Sequence, residues 1–173
     1  MDGMMKCVIK AGAGQGNLEL TERPIPKVGP MDVLIKVRAV AICGTDVHIM
    51  DWTDFASSRM TPPSIIGHEF SGEVVETGSL VRGIHVGDAV AAETHIVCHS
   101  CDLCHNGYEH VCCHTSTIGL HRDGAMAGYA CIPAENAVVF KRFTSWEILS
   151  LMEPFVAAVH AATEFPVAGK SVA

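Results

Sequence analysis

The segment DVLIKVRAVA, residues 32–41, is the longest of several strand-like stretches in this 173-residue chain. These stretches are short, rich in Val and Ile, and separated by Gly, Pro and Asp, a pattern typical of antiparallel barrels and sandwiches. The others are CVIKA (7–11), NLELTER (17–23), SGEVVETG (71–78), GDAVAAE (87–93), GYACIPA (128–134) and NAVVF (136–140). The sequence therefore predicts one mainly β domain.

The pattern changes to a helical one after residue 141. Thr144 and Glu147 have the T-x-x-E spacing of a capping box. An apolar, helix-compatible stretch follows to residue 165, and Pro154 is expected to divide it into two helices.

Two shorter stretches also predict local structure. TDVHIMDW (45–52) is typical of a short helix. GAGQG (12–16) predicts a hairpin turn rather than a phosphate-binding loop, because it lies between two strand-like segments and no helix pattern follows.

Charge and hydropathy limit the kinds of partner. The net charge of −7 argues against nucleic acid. The chain contains no run of about 18 apolar residues and no signal-peptide pattern, so we expect a cytoplasmic protein without a membrane partner. Thiols stay reduced there, which favours metal binding over disulfides for its eight cysteines.

Five cysteines lie in the single stretch CHSCDLCHNGYEHVCC (98–113). The spacing C-x2-C-x2-C-x7-C can place four thiolates around Zn²⁺ and leave no open coordination position, as in a structural site. The four are Cys98, Cys101, Cys104 and Cys112, with Cys113 as the surplus residue. An iron–sulfur cluster and unliganded thiols are the alternatives, and the first fits the spacing poorly. The histidines of this stretch are interpreted as solvated loop residues.

A sparser set of Cys, His and carboxylate residues comes from three separated segments. AICGTDVH (41–48), GHEFSGEV (67–74) and LMEPF (151–155) contribute Cys43, Thr45, Asp46, His48, His68, Glu69 and Glu153. Such a set suits a catalytic zinc with one position left for water or substrate. A buried apolar cysteine and a His–Glu pair in a surface turn are the alternatives.

These motifs, in this order, resemble those of the zinc-containing medium-chain alcohol dehydrogenases. AICGTDVH, GHEFSGEVVETG, GDAV, the cysteine spacing, DGAMAGY and MEPFVAAVHAA carry the resemblance over nearly the whole chain. It is strongest to the branch that oxidises L-threonine to 2-amino-3-oxobutanoate. The resemblance implies a GroES-like, partly open β-barrel catalytic domain with a few short helices and a zinc-binding lobe. It also implies a small alcohol substrate and a homo-oligomer, dimeric or tetrameric, for the full-length enzyme.

The resemblance also implies roles for individual residues. Two zinc ions per chain are implied, a structural one on the four cysteines and a catalytic one. The catalytic ligands would be Cys43, His68 and the exchangeable Glu69, with Glu153 bound directly or through water. Thr45 would take the proton of the substrate hydroxyl, and His48 would end that relay near the cofactor ribose. Asp46 would orient His68, and Glu93 and His95 would shape the substrate pocket.

The nicotinamide cofactor, NAD or NADP, is expected to require more chain than is present. The resemblance implies a catalytic domain over residues 1–150, with its lobe at about 95–115, and helices over 151–173 that lead to a missing Rossmann dinucleotide-binding domain. We therefore expect a truncated catalytic domain that turns over no substrate alone. Val156 and Gly128 depart from the threonine-oxidising branch, which leaves a polyol dehydrogenase open. A non-catalytic zinc-binding interaction module is a further alternative, and a co-chaperone rests on fold analogy alone.

Overall fold

The computed structural model describes residues 3–143, 145–164, 166 and 168–171. The strands are β1 (Met4–Lys10), β2 (Leu18–Pro24), β3 (Asp32–Ala41), β4 (Ser64–Ile65), β5 (Glu69–Thr77), β6 (Ala89–Ala92), β7 (His95–Ile96), β8 (Ser116–Thr117), β9 (Tyr129–Pro133) and β10 (Ala137–Val139). The helices are α1 (Gly44–Asp51), α2 (Asp54–Ser57), α3 (Asp102–His105), α4 (Trp146–Ser150) and α5 (Met152–Thr163). Residues Glu109–Val111 and Ala134–Asn136 form 3-10 turns.

The strands form one five-stranded sheet and two smaller ones, and all their ladders are antiparallel. The large sheet has the order β10-β6-β5-β3-β9, and the others are β2-β1-β4 and β7-β8. Strand β3 lies inside the large sheet and pairs with β5 and β9. The register shifts along the β3–β5 ladder are bulges, which increase local twist and help a sheet to curl.

Backbone hydrogen bonds join β1 to the segment before β9 and so bring two sheets together. The Val8 N–H donates to Met126 O at 2.8 Å, and the Gly128 N–H donates to Lys6 O at 3.0 Å. The result is a curled, partly open β-barrel, which confirms the predicted fold class.

The main core fills the inside of the large sheet. Val33, Ile35, Phe70, Val74 and Val90 are at most 1% exposed and pack together. Their β-branched and aromatic side chains suit a pleated, buried surface. The residues of this cluster account for the Val- and Ile-rich pattern that predicts strands at 32–41 and 71–78.

The helical region differs in detail from the prediction. Helix α4 is capped by Ser145, whose side-chain oxygen accepts a 3.3 Å hydrogen bond from the Ile148 N–H. Thr144, the predicted cap, lies outside the described residues. Two helices do form, but the break is at Leu151, and Pro154 sits in the first turn of α5, where it needs no N–H donor.

Helices α4 and α5 are anchored very differently. Leu149 of α4 is 2% exposed and packs with Ala89 and Ala91 of β6, while Ser71 donates a 2.7 Å hydrogen bond to Trp146 O. Helix α5 has no buried residue. Within the described residues, no helix combines the length and apolar character that a membrane crossing requires.

Candidate metal centres

The four predicted cysteine ligands converge in a small lobe built by α3 and the Glu109–Val111 turn. The Sγ atoms of Cys98 and Cys112 are 3.5 Å apart, and those of Cys101 and Cys104 are also 3.5 Å apart. All four Sγ atoms lie within 4.8 Å of one another, and none of the four cysteines forms a disulfide. Zn–S bonds of about 2.3 Å place tetrahedral sulfurs about 3.8 Å apart, so the thiols present fit a zinc ion.

The surroundings of these thiols shift their pKa values in opposite directions. The hydroxyl and backbone N–H of Ser100 lower the pKa of the Cys98 thiol to about 5. Burial, together with the thiols of Cys101 and Cys112, raises the pKa of Cys104 to about 12. Four thiolates this close repel one another, whereas a bound dication would displace their protons. Cys113 is exposed and lies outside the group.

Cys43, His68 and Glu69 form the second group. Cys43 is the N-cap of α1, His68 precedes β5, and Glu69 is the first residue of that strand. The pairing of Ala41 with Glu69 brings the two segments together, and one donor atom from each of the three residues lies within 4.8 Å of the others. Sulfur, nitrogen and oxygen donors in one group suit a catalytic zinc.

The second group is largely buried and contains an unpaired polar atom. His68 and Glu69 are 4% and 6% exposed, and His68 Nδ1 has no hydrogen-bond partner. Buried polar atoms are almost always paired, so an unpaired ring nitrogen indicates a missing partner. Burial raises the pKa of the Cys43 thiol, while hydrogen bonds from Thr45 oppose that shift. The residues present therefore fit a metal ion.

Asp46 lies beside this group but does not pair with His68 in the structure. Its Oδ2 accepts a 2.9 Å hydrogen bond from the Cys43 N–H, which caps α1. Its Oδ1 is buried and unpaired, like His68 Nδ1. The orienting hydrogen bond that the resemblance implies is thus not made.

Glu153 approaches the second group from α5 without joining it. It is not among the three residues that meet within 4.8 Å. Burial raises the pKa of Glu153, a shift that His68 opposes and Glu69 reinforces. The Glu153 carboxylate therefore lies close enough to interact electrostatically with His68 and Glu69, as a more distant fourth ligand would.

Thr45 and His48, the two residues of the predicted relay, lie one turn apart on α1. The Thr45 hydroxyl is 3.7 Å from Cys43 Sγ. His48 Nδ1 is 3.2 Å from Thr53 Oγ1, and its ring lies 5.5 Å from that of Phe55. Thr45 thus faces the second group, while His48 is exposed at the other end of the helix.

Glu93 and His95 form an ion pair at the edge of a cavity. His95 Nδ1 is 2.8 Å from Glu93 Oε1, and this contact raises the pKa of His95 and lowers that of Glu93. Both line a cavity of about 230 Å³ that also borders Glu153.

His110 and His160 line the same cavity, with ring centroids 5.8 Å apart. The sequence predicts His110 to be a solvated loop residue and contains no signal for His160. No spacing signal connects a lobe residue to α5, so only the packing could reveal them.

Comparison with known proteins identifies the fold family. Residues 29–142 match the profile described as the alcohol dehydrogenase GroES-like domain. The chain belongs to this family. The GroES-like barrel that the family resemblance implied is thereby confirmed.

Relatives of this GroES-like chain include L-threonine 3-dehydrogenases. That of Caldanaerobacter subterraneus is 48% identical over 173 residues, which cover 100% of this chain and 50% of the relative. That of Pyrococcus horikoshii is 47% identical over 172 residues, or 99% of this chain and 49% of the relative. The chain spans about half the length of the curated relatives it matches.

Solved structures agree with the assignment. A zinc-binding dehydrogenase of Sinorhizobium meliloti bound to NADP superposes with a TM-score of 0.87 at 34% identity, over 95% of this chain and 46% of that one. Galactitol-1-phosphate dehydrogenase of Escherichia coli gives 0.81 at 29% identity, over 90% and 44% of the two chains. A cobalt- and zinc-bound alcohol dehydrogenase of Pyrobaculum aerophilum gives 0.76 at 30%, over 87% and 45%.

Proposed function

We propose that this chain is the catalytic domain of a zinc-dependent, NAD(P)-linked dehydrogenase that oxidises a secondary alcohol, with L-threonine as the substrate. The observation that carries the proposal is the convergence of Cys43, His68 and Glu69 in a buried group with an unpaired ring nitrogen. The identity to L-threonine 3-dehydrogenases over the whole chain supports the choice of substrate.

Two zinc ions per chain are part of the proposal. The four-cysteine lobe would hold a structural ion, because a complete thiolate shell leaves no position for substrate. Cys43, His68 and Glu69 would hold the catalytic ion, with Glu153 as the more distant carboxylate. A zinc ion bound there supplies Lewis acidity, which lowers the pKa of an alcohol.

The residues of the chain would then orient the substrate and move its proton. Thr45 carries a hydroxyl next to Cys43 and would accept the proton of the substrate hydroxyl at Oγ1. His48, one turn further along α1, would receive it near solvent. Glu93 and His95 would form the pocket wall, where an ion pair at 2.8 Å offers both signs of charge to a zwitterionic amino acid.

The different packing of α4 and α5 supports a separate domain that binds the cofactor. Helix α4 is packed on the barrel, whereas α5 begins at Met152 and buries no residue. We place the end of the catalytic domain near residue 150, with α5 leading to a dinucleotide-binding domain in the full-length enzyme. An oligomer of that enzyme and a cytoplasmic location belong to the same proposal.

A polyol dehydrogenase is the second candidate. It is favoured by Val156 and Gly128, which depart from the threonine-oxidising branch, and by the similarity to galactitol-1-phosphate dehydrogenase. The identity to that enzyme is 29%, against 48% for the L-threonine 3-dehydrogenase of Caldanaerobacter subterraneus, so threonine remains the first choice.

A chimera tests the proposal. Residues 1–173 would replace the matching half of the Caldanaerobacter subterraneus enzyme, and NADH formation would be measured with L-threonine, 2,3-butanediol and sorbitol. We expect activity with L-threonine that Cys43→Ser abolishes and Cys113→Ser leaves intact. A folded, zinc-loaded chimera that is active only on the polyols would overturn the substrate, and one inert on all three would overturn the activity.

A further inference from the structure

Lys10 is fully buried, at 0% exposure, and has no role in the proposed chemistry. Lysine is almost never fully buried unless its charge is paired. Here its Nζ donates to two carbonyl oxygens, Gly14 O at 2.5 Å and Gly16 O at 2.6 Å, and lies 4.9 Å from the centre of the Trp52 ring. Among the described residues, no carboxylate forms an ion pair with it, although the charge of Asp51 acts to raise the pKa of the ammonium.

The two carbonyls belong to the GAGQG turn, which reaches across to the end of α1. The Gly16 N–H donates to Met50 O at 2.7 Å, and Gln15 Nε2 donates to Asp51 Oδ1 at 3.4 Å. Lys10 is at the centre of this contact, since it binds the turn on one side and Trp52 on the other. The turn is therefore attached to the last turn of α1.

That last turn holds His48. Trp52 is the C-cap of α1 in the left-handed conformation, with φ 55°, and its N–H donates to Ile49 O. The Thr53 N–H donates to His48 O at 3.2 Å, and Thr53 Oγ1 lies 3.2 Å from His48 Nδ1. Helix α1 buries only Asp46 and Ile49 of its eight residues, so its own packing constrains its end weakly.

We infer that Lys10 is a positioning residue, which uses the GAGQG turn and Trp52 to set the end of α1 and thereby the orientation of the His48 imidazole. The catalytic meaning of this role rests on the proposed function, because His48 is a relay residue only there. The placement of the ring itself does not depend on the activity.

The positioning role of Lys10 differs from a contribution to the global stability of the fold. Burial of the ammonium is costly, and it lowers the pKa of Lys10. The two carbonyl bonds and the contact with the Trp52 ring offset that cost. Removing the charge therefore changes global stability little, but it leaves the Gly14 and Gly16 carbonyls unpaired and loosens the turn and the end of α1.

The test compares Lys10→Met with Lys6→Met in the zinc-loaded 173-residue chain. Lys6 is an exposed lysine of the same strand. In Lys10→Met we expect amide hydrogen exchange at Gly16, Trp52 and Thr53 to accelerate at least about ten-fold while the amides of 33–35 keep their protection. The ¹⁵N shifts of the His48 ring should change as its contact with Thr53 weakens. Lys6→Met should behave as the wild type.

Three results would overturn the inference. They are unchanged exchange at Gly16, Trp52 and Thr53, a uniform loss of protection across the sheet, and unchanged His48 ring shifts. If Lys10→Met does not fold, the wild type still decides: the Lys10 Nζ protons should exchange slowly and shift upfield over the Trp52 ring. Exchange as fast as that of the Lys6 Nζ protons would refute the contact of Lys10 with the turn and Trp52. Because none of these measurements uses dehydrogenase activity, an inert chimera would leave the positioning role standing.

Discussion

The carbonyl oxygen of Gly67 lies against the backbone of Gly124, where an added β-carbon would come within 2.4 Å of it. The Ala125 N–H also donates a 2.9 Å hydrogen bond to this oxygen. The close approach fixes the segment immediately before His68. The position of a proposed metal ligand thus depends on a glycine 56 residues away in the sequence.

Gly124→Ala should destabilise the fold and weaken the second metal group. The obstructing atoms are backbone atoms of Ile66 and Gly67, which cannot rotate away, so we expect a loss of roughly 1–3 kcal/mol in the free energy of unfolding. Urea unfolding and zinc titration would measure both effects. Gly12→Ala is the control, because nothing lies within 4 Å of its β-carbon position. Equal stability of the two variants would contradict the prediction.

Metal content should separate the two groups. We expect two zinc ions per wild-type chain by elemental analysis and one in Cys43→Ala, with the fold intact by circular dichroism. Cys131→Ala, whose thiol lies outside both groups, should still bind two. A wild-type content of one zinc, unaffected by Cys43→Ala, would instead indicate a structural zinc module.

The adjacent cysteines of the lobe should behave differently. Cys112 Sγ lies 3.5 Å from Cys98 Sγ, whereas Cys113 is exposed and outside the group. Cys112→Ser should therefore lose the lobe zinc and make residues 98–113 sensitive to protease, with the barrel core retained. Cys113→Ser should match the wild type in both assays. If Cys113→Ser lost the lobe zinc and Cys112→Ser kept it, Cys113 would be the fourth ligand.

Phe70 should be among the most costly residues to truncate. Its side chain is 1% exposed in the main core, so Phe70→Ala should cost about 3–5 kcal/mol by urea unfolding. Phe155→Ala is the matched control, because Phe155 is 58% exposed on α5, and a change within about 0.5 kcal/mol is expected. A loss below about 1 kcal/mol for Phe70→Ala would show that Phe70 is not part of the main core.

Asp88 should make part of the stability depend on acid pH. The His85 N–H, 2.8 Å from its Oδ2, lowers the pKa of this carboxyl, and Lys141 contributes. A depressed native pKa stabilises the fold above the unfolded value of about 3.9, and this contribution disappears as the pH falls through the native value. The stability difference between wild type and Asp88→Asn should therefore shrink below about pH 4.

The control for this titration is Glu22→Gln, an exposed carboxylate on β2. The difference in unfolding free energy between Glu22→Gln and the wild type should not shrink below about pH 4 as it does for Asp88→Asn. An Asp88→Asn difference that stays constant from pH 7 to pH 3 would show that the carboxylate contributes no charge-dependent stability.

The strands and the motif order could be read from the chain because they are local properties. Residues 32–41 are predicted as a strand and form β3 with the same bounds, since the segment is rich in Val and Ile and lies between turn residues. The two-residue strands β4, β7 and β8 were missed, because two residues cannot show a period. The cap of α4 falls at Ser145, where two adjacent hydroxyl residues made the choice ambiguous.

By itself, the sequence determined the mainly β class and the family resemblance, and it predicted two candidate ligand sets, because residue types and their spacing along the chain carry that information. Only the tertiary structure decided the distances between remote segments. It left Asp46 Oδ1 and His68 Nδ1 without hydrogen-bond partners and kept Glu153 apart from Cys43, His68 and Glu69. It also brought His110 to the cavity beside Glu153 and buried Lys10 against the GAGQG turn. Sheet register and packing set these distances, and the number of residues between two segments gives only an upper limit to them.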